Sequence, residues 1–363
     1  MNTIGKNISI TFFGESHGPY IGLVIDGLPP GLKINKKLIK NNLLKRRPIK
    51  NINTPRVELD NFEIISGFFN DFTTGAALTV IIPNKNTKSE DYNNFNSIPR
   101  PSHADYTASV KYNSYNDYRG GGIFSGRLTA LWIIVGSIAQ QILEKSDIYI
   151  GSHIYSIHNL HDKPFDMVSK NKPNLISLNA KVFPILDESK EQSFMALIEK
   201  AKNNLDSLGG IIESKIINIP AGLGEPYFSS IESYLSNLLF SVPGVKGIEF
   251  GKGFDITKFY GSEMNDQFKI QNNKVATSSN NSGGIQGGLS NGMPILIKVA
   301  FKPTASIHKI QKSINLDKLE NEDILINGRH DPQYVSRAAH VVTAVLNFAI
   351  LDLLMFEYKK DIL

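Results

Sequence analysis

Two histidines lie in short polar segments that contain turn-forming residues. His17 stands in GESHG (residues 14–18), where two glycines allow a tight turn and a close approach of the backbone to a ligand. His103 stands in RPSHADYT (residues 100–107), after two prolines and beside arginine, serine and aspartate. Histidine moves protons near neutral pH, so both are candidate acid–base residues. The alternatives are a structural histidine at 17 and a capped turn into a helix at 103.

Two later segments contain groups that could hold an anion. FKPTAS (residues 301–306) combines Lys302 with the hydroxyls of Thr304 and Ser306, which could cradle a phosphate, although Lys-Pro-Thr alone is a weak signal. GRHDPQYVSRA (residues 328–338) contains two arginines that could grip carboxylates or phosphates in bidentate fashion. Asp331 in the same segment could act chemically or simply begin a helix.

Several common site types are excluded or unsupported. The 363 residues include no cysteine, which excludes disulfides, thiolate metal sites and a catalytic thiol. There is no GxxxxGK[ST] loop, no HExxH and no GxSxG, and neither glycine cluster (120–122 or 283–288) matches GxGxxG after a strand. A formal charge of +5 suggests an anionic partner, and the scattered distribution of 39 basic residues among 34 acidic ones favours a small anion over nucleic acid.

Alternating strand and helix patterns must position these groups. Strands are predicted at 8–13 and 21–25 around the GESHG turn, with two further β-type runs within 57–82. Asn35 is predicted to cap a helix that ends at Pro48, and other helices are predicted at 124–144, 194–205, 231–239 and 335–358, the last one enclosed by protein. The Asn-, Ser- and Gly-rich stretch 261–292 is predicted to be a long loop, either functional or a mobile linker. These elements indicate a mixed α/β or α+β layer fold.

The chain start and the apolar segments bear on location. The first residues lack a basic start followed by an apolar stretch, which predicts no secretory signal. The apolar stretches 128–143 and 341–356 are interrupted by polar residues and are predicted to be buried core helices rather than membrane spans.

Taken together, the motifs resemble those of the chorismate synthases in order and approximate spacing across nearly the whole chain. They are GESHG, RPSHADYT, DYRGGG followed by FSGRLTA, SGGIQGGLSNG, FKPTAS and GRHDP. The resemblance implies one catalytic domain over residues 1–363, with an α+β fold in which β-sheets cover a helical core. It also implies a cytoplasmic homotetramer that uses reduced FMN (FMNH2), holds no metal, and has neither nucleic acid nor membrane as a partner.

The implied reaction is the anti-1,4 elimination of phosphate from 5-enolpyruvylshikimate 3-phosphate, which gives chorismate, the last common step towards the aromatic amino acids. Whether the chain also reduces its own flavin with NADPH is open, and the lack of long insertions favours the monofunctional type. The alternatives are a basic RNA-binding protein and a flavoprotein oxidoreductase with net hydride transfer.

The resemblance also implies roles for individual residues. His17 acts as a proton donor or hydrogen-bond partner at the flavin, His103 as the general acid for the departing phosphate, and Asp331, held by Ser16, in removal of the ring hydrogen. The implied flavin contacts are Ser125, Pro243, Gly244, Gly287, Lys302, Pro303, Thr304, Ala305, Ser306 and Arg329. The implied substrate cations are Arg46, Arg56, Arg127 and Arg337.

The chain departs from the common family pattern in two places. Lys45, Ile49 and Ile52 replace expected residues around KRRPI, which leaves the set of substrate cations open. Ile123 occupies an expected arginine position in GGGIFSGRLT. If a helix begins after Gly122, residues 123 and 127 share one face, and Arg127 would then replace the missing cation.

Overall fold

The computed structural model describes residues 2–49, 52–53, 59–85, 95, 97–326 and 330–357. A first antiparallel sheet of five strands comes from the N-terminal part, in the order β1-β2-β3-β7-β4, with a small β5–β6 hairpin beside it. Its strands are β1 (Thr3–Ile4), β2 (Ser9–Gly14), β3 (Tyr20–Asp26), β4 (Glu63–Ser66), β5 (Phe68–Phe69), β6 (Phe72–Thr73) and β7 (Leu78–Pro83).

A second antiparallel sheet of five strands follows the order β11-β16-β10-β8-β9, and three two-stranded hairpins accompany it. The strands of the sheet are β8 (Tyr149–Ile157), β9 (Leu160–His161), β10 (Gly210–Ile217), β11 (Val245–Phe250) and β16 (Ile295–Phe301). The hairpins pair β12 (Phe268–Gln271) with β13 (Lys274–Thr277), β14 (Ile285–Gln286) with β15 (Leu289–Ser290), and β17 (Gln311–Asn315) with β18 (Glu320–Ile324).

The helices include two that are long and largely buried, α3 and α8. The α-helices are α1 (Lys36–Arg46), α2 (Asp105–Tyr112), α3 (Thr129–Leu143), α4 (Lys172–Ala180), α5 (Glu191–Asn203), α6 (Ile231–Leu239), α7 (Gly261–Met264) and α8 (Val335–Glu357). Short 3₁₀ turns lie at Arg119–Phe124, Gly126–Leu128, Glu144–Ser146, Glu188–Lys190, Tyr227–Ser229 and Gly253–Lys258.

The packed pair α3–α8 lies between the two sheets. Trp132 of α3 packs against Phe12 of β2, with ring centroids 5.0 Å apart, and against Phe348 of α8 at 5.8 Å. On the other side, Thr343 of α8 donates a hydrogen bond to Ser152 of β8 at 2.7 Å. These contacts connect sheet, helix, helix and sheet in that order, which confirms the α+β prediction of sheets covering a helical core.

Several local predictions are confirmed. Strands β2 and β3 flank the GESHG turn, helices α6 and α8 cover their patterned segments, and α5 covers its segment up to Asn203, so that only Leu205 of the predicted pattern lies beyond the helix. The side chain of Asn35 accepts a hydrogen bond from the backbone N–H of Leu38 at 3.0 Å, which caps α1 as expected. Helix α8 is buried on nearly every side, and its Asp352 accepts hydrogen bonds from the backbone N–H groups of Asn7 and Ile8.

Two local predictions are wrong. Helix α3 begins at Thr129 rather than near 124, because the glycines at 120–122 take positive φ and Ser125 is extended at φ −68°, ψ 140°. The stretch 261–292 is not a featureless loop but contains α7, β12–β13 and β14–β15. Asp266 organises part of it by accepting hydrogen bonds from the backbone N–H groups of Asn281 (2.7 Å) and Ser282 (2.9 Å).

Two helical stretches, Arg119–Ser146 and Val335–Met355, are long and apolar enough to cross a membrane by length and composition. Both are mostly buried inside the described structure, and the core helices of globular proteins commonly meet the same criterion.

Candidate active site

One cavity of about 670 Å³ collects most of the sequence motifs. Its wall comes from the GESHG turn, residues 100–108, the glycine-rich turn 116–126, residues 240–246, the tract 302–306 and residues just before α8. Its volume falls within the roughly 300–1,000 Å³ of small-molecule sites. Segments far apart in sequence therefore form one ligand-sized site.

The glycine turn fixes the position of His17, which lines the cavity. Gly120 has φ +61°, and a Cβ there would lie 2.3 Å from His17 Cδ2, so only glycine allows the imidazole to lie where it does. The backbone N–H of Ser16 donates to the carbonyl of Gly122 at 3.2 Å. Ser16 itself is fully buried behind the cavity wall, where its Oγ accepts a hydrogen bond from Ser125 Oγ at 3.1 Å.

His103 lies between an acceptor group at Nδ1 and a donor group at Nε2. Its Nδ1 lies 3.1 Å from the carbonyl of Pro101, which can only accept, so Nδ1 carries the proton. Its Nε2 then accepts from Ser306 Oγ at 2.9 Å. Burial, together with the positive charge of Arg100, lowers the pKa of His103 to about 4. Without a ligand the imidazole is therefore neutral at pH 7, and a bound phosphate dianion would favour its protonation.

The tract at 302–306 fits a phosphate-bearing cofactor. The hydroxyl of Thr304 is buried and has no hydrogen-bond partner among the described residues, although it lines the cavity. Lys302 donates to the carbonyl of Ser102 at 2.5 Å, and burial together with neighbouring Lys246 lowers its pKa. An unpaired donor beside two lysines is the arrangement that a phosphate group would satisfy.

The same part of the cavity contains an exposed backbone turn. Gly244, next to Pro243, has φ +93° and its carbonyl accepts from the backbone N–H of Lys302 at 2.9 Å. Pro243, Gly244, Pro303 and Ala305 all line the cavity, as does Ser125. Most of the residues expected to contact the cofactor thus lie together.

Asp331 lines the cavity and is held from behind by Arg337. Arg337 Nη1 lies 2.8 Å from Asp331 Oδ2, and its Nε donates to the carbonyl of Arg46 at 3.1 Å. Arg337 is not among the described residues of the cavity wall, so in this structure it orients the carboxylate of Asp331.

Arg46 and Arg127 also lie behind the wall, where they share one buried carboxylate. Arg46 Nη1 lies 3.4 Å from Asp60 Oδ2, and Arg127 Nη1 pairs with Asp60 Oδ1. Burial lowers the pKa of Arg46 to about 10, which leaves it charged at neutral pH. The idea that Arg127 replaces a cation at Ile123 is wrong, because extended Ser125 separates the two residues; Ile123 lines the cavity and Arg127 turns to Asp60.

Three other expected residues are not seen in the wall. Arg56 and Arg329 lie outside the described residues. Gly287 is described, in the turn between β14 and β15, but is not part of the cavity wall in this structure. Among the described residues, no group of three or more His, Asp or Glu side chains could hold a metal ion.

The cavity also contains residues for which no role was expected: Phe240 and Lys246 lie outside the motifs, whereas Tyr118 belongs to DYRGGG and Tyr334 to GRHDPQYVSRA. Arg100 also lines the cavity, and RPSHAD places this arginine and an aspartate on either side of His103. Arg100 Nε and Nη2 each lie 2.8 Å from a carboxylate oxygen of Asp105, so the pair brackets the histidine.

Comparison with known proteins gives one consistent result. The family model described as chorismate synthase matches residues 8–355. Chorismate synthases of Methanobrevibacter smithii and Pyrococcus abyssi are 44% and 42% identical, over 97% of this chain and 95% and 97% of their own lengths. A crystal structure of a chorismate synthase matches with a TM-score of 0.75 at 26% identity, covering 98% of this chain and 93% of the other.

Proposed function

We propose, because this chain belongs to the chorismate synthase family, that the cavity around His17, His103 and Asp331 is its active site and binds reduced FMN together with the substrate. The chain is a carbon–oxygen lyase of the shikimate pathway, which eliminates phosphate from 5-enolpyruvylshikimate 3-phosphate to give chorismate. Enzymes of this family use a flavin. That the flavin is reduced FMN, and that these residues serve it, is the proposed part.

One observation carries the assignment of the site. Two histidines and a carboxylate from three distant segments meet in one cavity beside Thr304, whose buried hydroxyl has no partner among the described residues. The phosphate of FMN is proposed to bind the 302–306 tract. When bound, reduced FMN supplies transient electron donation that makes the substrate phosphate a feasible leaving group.

The side chains of this chain are then proposed to handle protons and charge. Once the dianion has raised the pKa of His103, Nε2 takes up a proton and donates it to the departing phosphate, and Ser306 Oγ, which donates to Nε2 of the neutral ring, gives up that hydrogen bond. Asp331, oriented by Arg337, takes part in the removal of the ring hydrogen. His17 donates a hydrogen bond or a proton at the flavin.

The proposed assembly is a homotetramer. Large apolar side chains are strongly exposed on this chain, among them Phe228 (97%), Tyr227 (84%), Tyr260 (80%) and Phe254 (78%). Tyr227 and Phe228 are adjacent, with ring centroids 6.4 Å apart, and contiguous exposed apolar groups often mark surfaces that another protein covers. A second copy of the chain is the proposed partner. A cytoplasmic location, with neither nucleic acid nor membrane as a partner, is proposed with it.

An anaerobic assay with reduced FMN and 5-enolpyruvylshikimate 3-phosphate tests the proposal. Chorismate and phosphate should appear in equal amounts, and the flavin should remain reduced because it is not consumed. Oxidised FMN without a reductant is the control and should give no product. Flavin oxidation in proportion to product would instead indicate net hydride transfer, and turnover with NADPH and oxidised FMN would indicate that the chain reduces its own flavin.

A further inference from the structure

Asn84 lies at the end of β7, directly beside the turn that carries His17. Its side-chain Nδ2 donates to the carbonyl of Glu15 at 3.0 Å and to the carbonyl of Gly18 at 2.8 Å. Its backbone N–H donates to the carbonyl of Pro19 at 3.0 Å. The two carbonyls that bind Nδ2 lie on either side of Ser16 and His17, so the amide spans the turn from end to end.

The other end of the same amide faces the buried arginines. Asn84 Oδ1 accepts from Arg127 Nε at 3.0 Å, and Arg127 pairs in turn with Asp60, which also pairs with Arg46. A continuous polar chain therefore runs from the GESHG turn, through one side chain, to the arginines behind the cavity wall.

This pattern requires an amide. Two donors and one acceptor on the same planar group satisfy two carbonyls and one guanidinium at once, and an ionised aspartate offers acceptors only. The β3–β7 pairing ends at Tyr20 and Pro83, so Asn84 lies just beyond the last paired residues of these strands. Its hydrogen bonds fix the turn rather than the sheet.

We propose that Asn84 is a positioning residue that holds His17 in its working orientation and links it to Arg127. The proposal rests on the proposed role of His17 in the reaction. Small displacements of a reacting group cost large factors in rate, so loss of the two turn-spanning bonds should act on turnover more than on folding.

The test compares two substitutions at one position. Asn84→Asp keeps an acceptor for Arg127 and loses both donors, so kcat should fall about 10-fold while KM for the substrate changes less than about twofold. Asn84→Ala loses all three bonds and should lower kcat similarly and raise KM as well. Measuring both covers the case in which one variant fails to fold.

Asn280 provides a matched control away from the cavity. Its Nδ2 also donates to two backbone carbonyls, those of Met167 and Pro294, both at 2.8 Å. Asn280→Asp removes the same pair of donors and should leave kcat per folded molecule unchanged, although its melting temperature should fall further than that of Asn84→Asp, because Asn280 Oδ1 is buried with no partner among the described residues whereas Asn84 Oδ1 faces Arg127.

A double-mutant cycle with His17→Ala identifies the route of the effect. If Asn84 acts through His17, Asn84→Asp should change kcat less than about twofold once His17 is absent. The proposal for Asn84 is overturned if Asn84→Asp still lowers kcat by the full 10-fold in the His17→Ala background, or if Asn84→Asp by itself leaves kcat unchanged. Either result leaves the role of His17 intact. Unchanged kcat in His17→Ala itself overturns the role of His17 and with it the proposal, which separates the two failures.

Discussion

Replacing Gly120 with alanine is the sharpest test of how the glycine turn supports His17. A Cβ at this position would lie 2.3 Å from His17 Cδ2, 2.5 Å from Nε2 and 2.9 Å from Ser16 Oγ, whereas ordinary contacts begin near 3.4 Å. The imidazole must therefore retreat by about 1 Å. A displacement of that size can reduce turnover about 10²-fold, and we expect that loss of kcat in Gly120→Ala.

The control for backbone strain is Gly31→Ala. Gly31 has φ +80°, and a Cβ there would meet no atom within 4 Å. Both substitutions carry the cost of a left-handed alanine, about 1 kcal/mol, but only the one at Gly120 collides with the histidine. The anaerobic assay should therefore separate the two variants by kcat, while thermal melting should show comparable losses from the backbone term.

The reasoning fails if Gly120→Ala keeps the kcat of Gly31→Ala. In that case either the imidazole does not occupy this position during turnover or its position does not matter. Reduced-flavin binding measured for both variants distinguishes a displaced catalytic group from a blocked cavity, because a blocked cavity would raise the dissociation constant as well.

Three further predictions concern charge and assembly. The imidazole of His103 should stay neutral in the ligand-free protein until the pH falls to about 4, because burial and Arg100 lower its pKa. Binding of a phosphate-bearing substrate should raise that pKa, and NMR titration measures the value in both states. A ligand-free pKa near 6.5 would show that burial and Arg100 do not act on the ring in this way. Arg127→Ala should lower the free energy of unfolding by about 3 kcal/mol, because it removes one partner from the buried carboxylate of Asp60. Lys312→Ala, which breaks an exposed ion pair with Asp323, should have far less effect. Equal losses of the two variants in urea unfolding would refute this difference between buried and exposed pairs. The exposed pair Tyr227 and Phe228 should lie in a subunit contact, so Tyr227→Ser combined with Phe228→Ser should weaken self-association while kcat per folded chain stays equal. An unchanged mass distribution in light scattering would exclude this pair from the subunit contact.

Local patterns predicted much of the fold because they act over a few residues. The Asn35 cap, the apolar periodicity of α5 and α6, and the mostly apolar composition of α8 are all patterns among residues close together in the chain. The start of α3 was predicted wrongly because it depends on backbone angles that the residue types do not fix. Glycine is compatible with helical entry, and the sequence does not reveal that all three residues at 120–122 adopt positive φ.

The site was predicted in composition more fully than in arrangement. GESHG, RPSHADYT, FKPTAS and GRHDP indicated the residues that meet in the cavity, and their joint occurrence indicated the family. The family resemblance implied substrate cations at Arg46, Arg127 and Arg337, and the structure places Arg46 and Arg127 behind the wall on Asp60 and Arg337 on Asp331. Asn84 belongs to no motif that was singled out, because an isolated asparagine after a strand carries no pattern.

The sequence alone thus determined which chemical groups are available and the family to which the chain belongs, because residue types and short spacings are written directly in it. Tertiary structure decided which groups meet. His103 contacts Ser306, which is 203 positions away in the chain. Asn84 joins the GESHG turn to Arg127, with sequence separations of 69 residues to Glu15 and 43 residues to Arg127. Such pairings depend on the packing of both sheets on α3 and α8, and that packing sets the direction and burial of each side chain through contacts between distant segments.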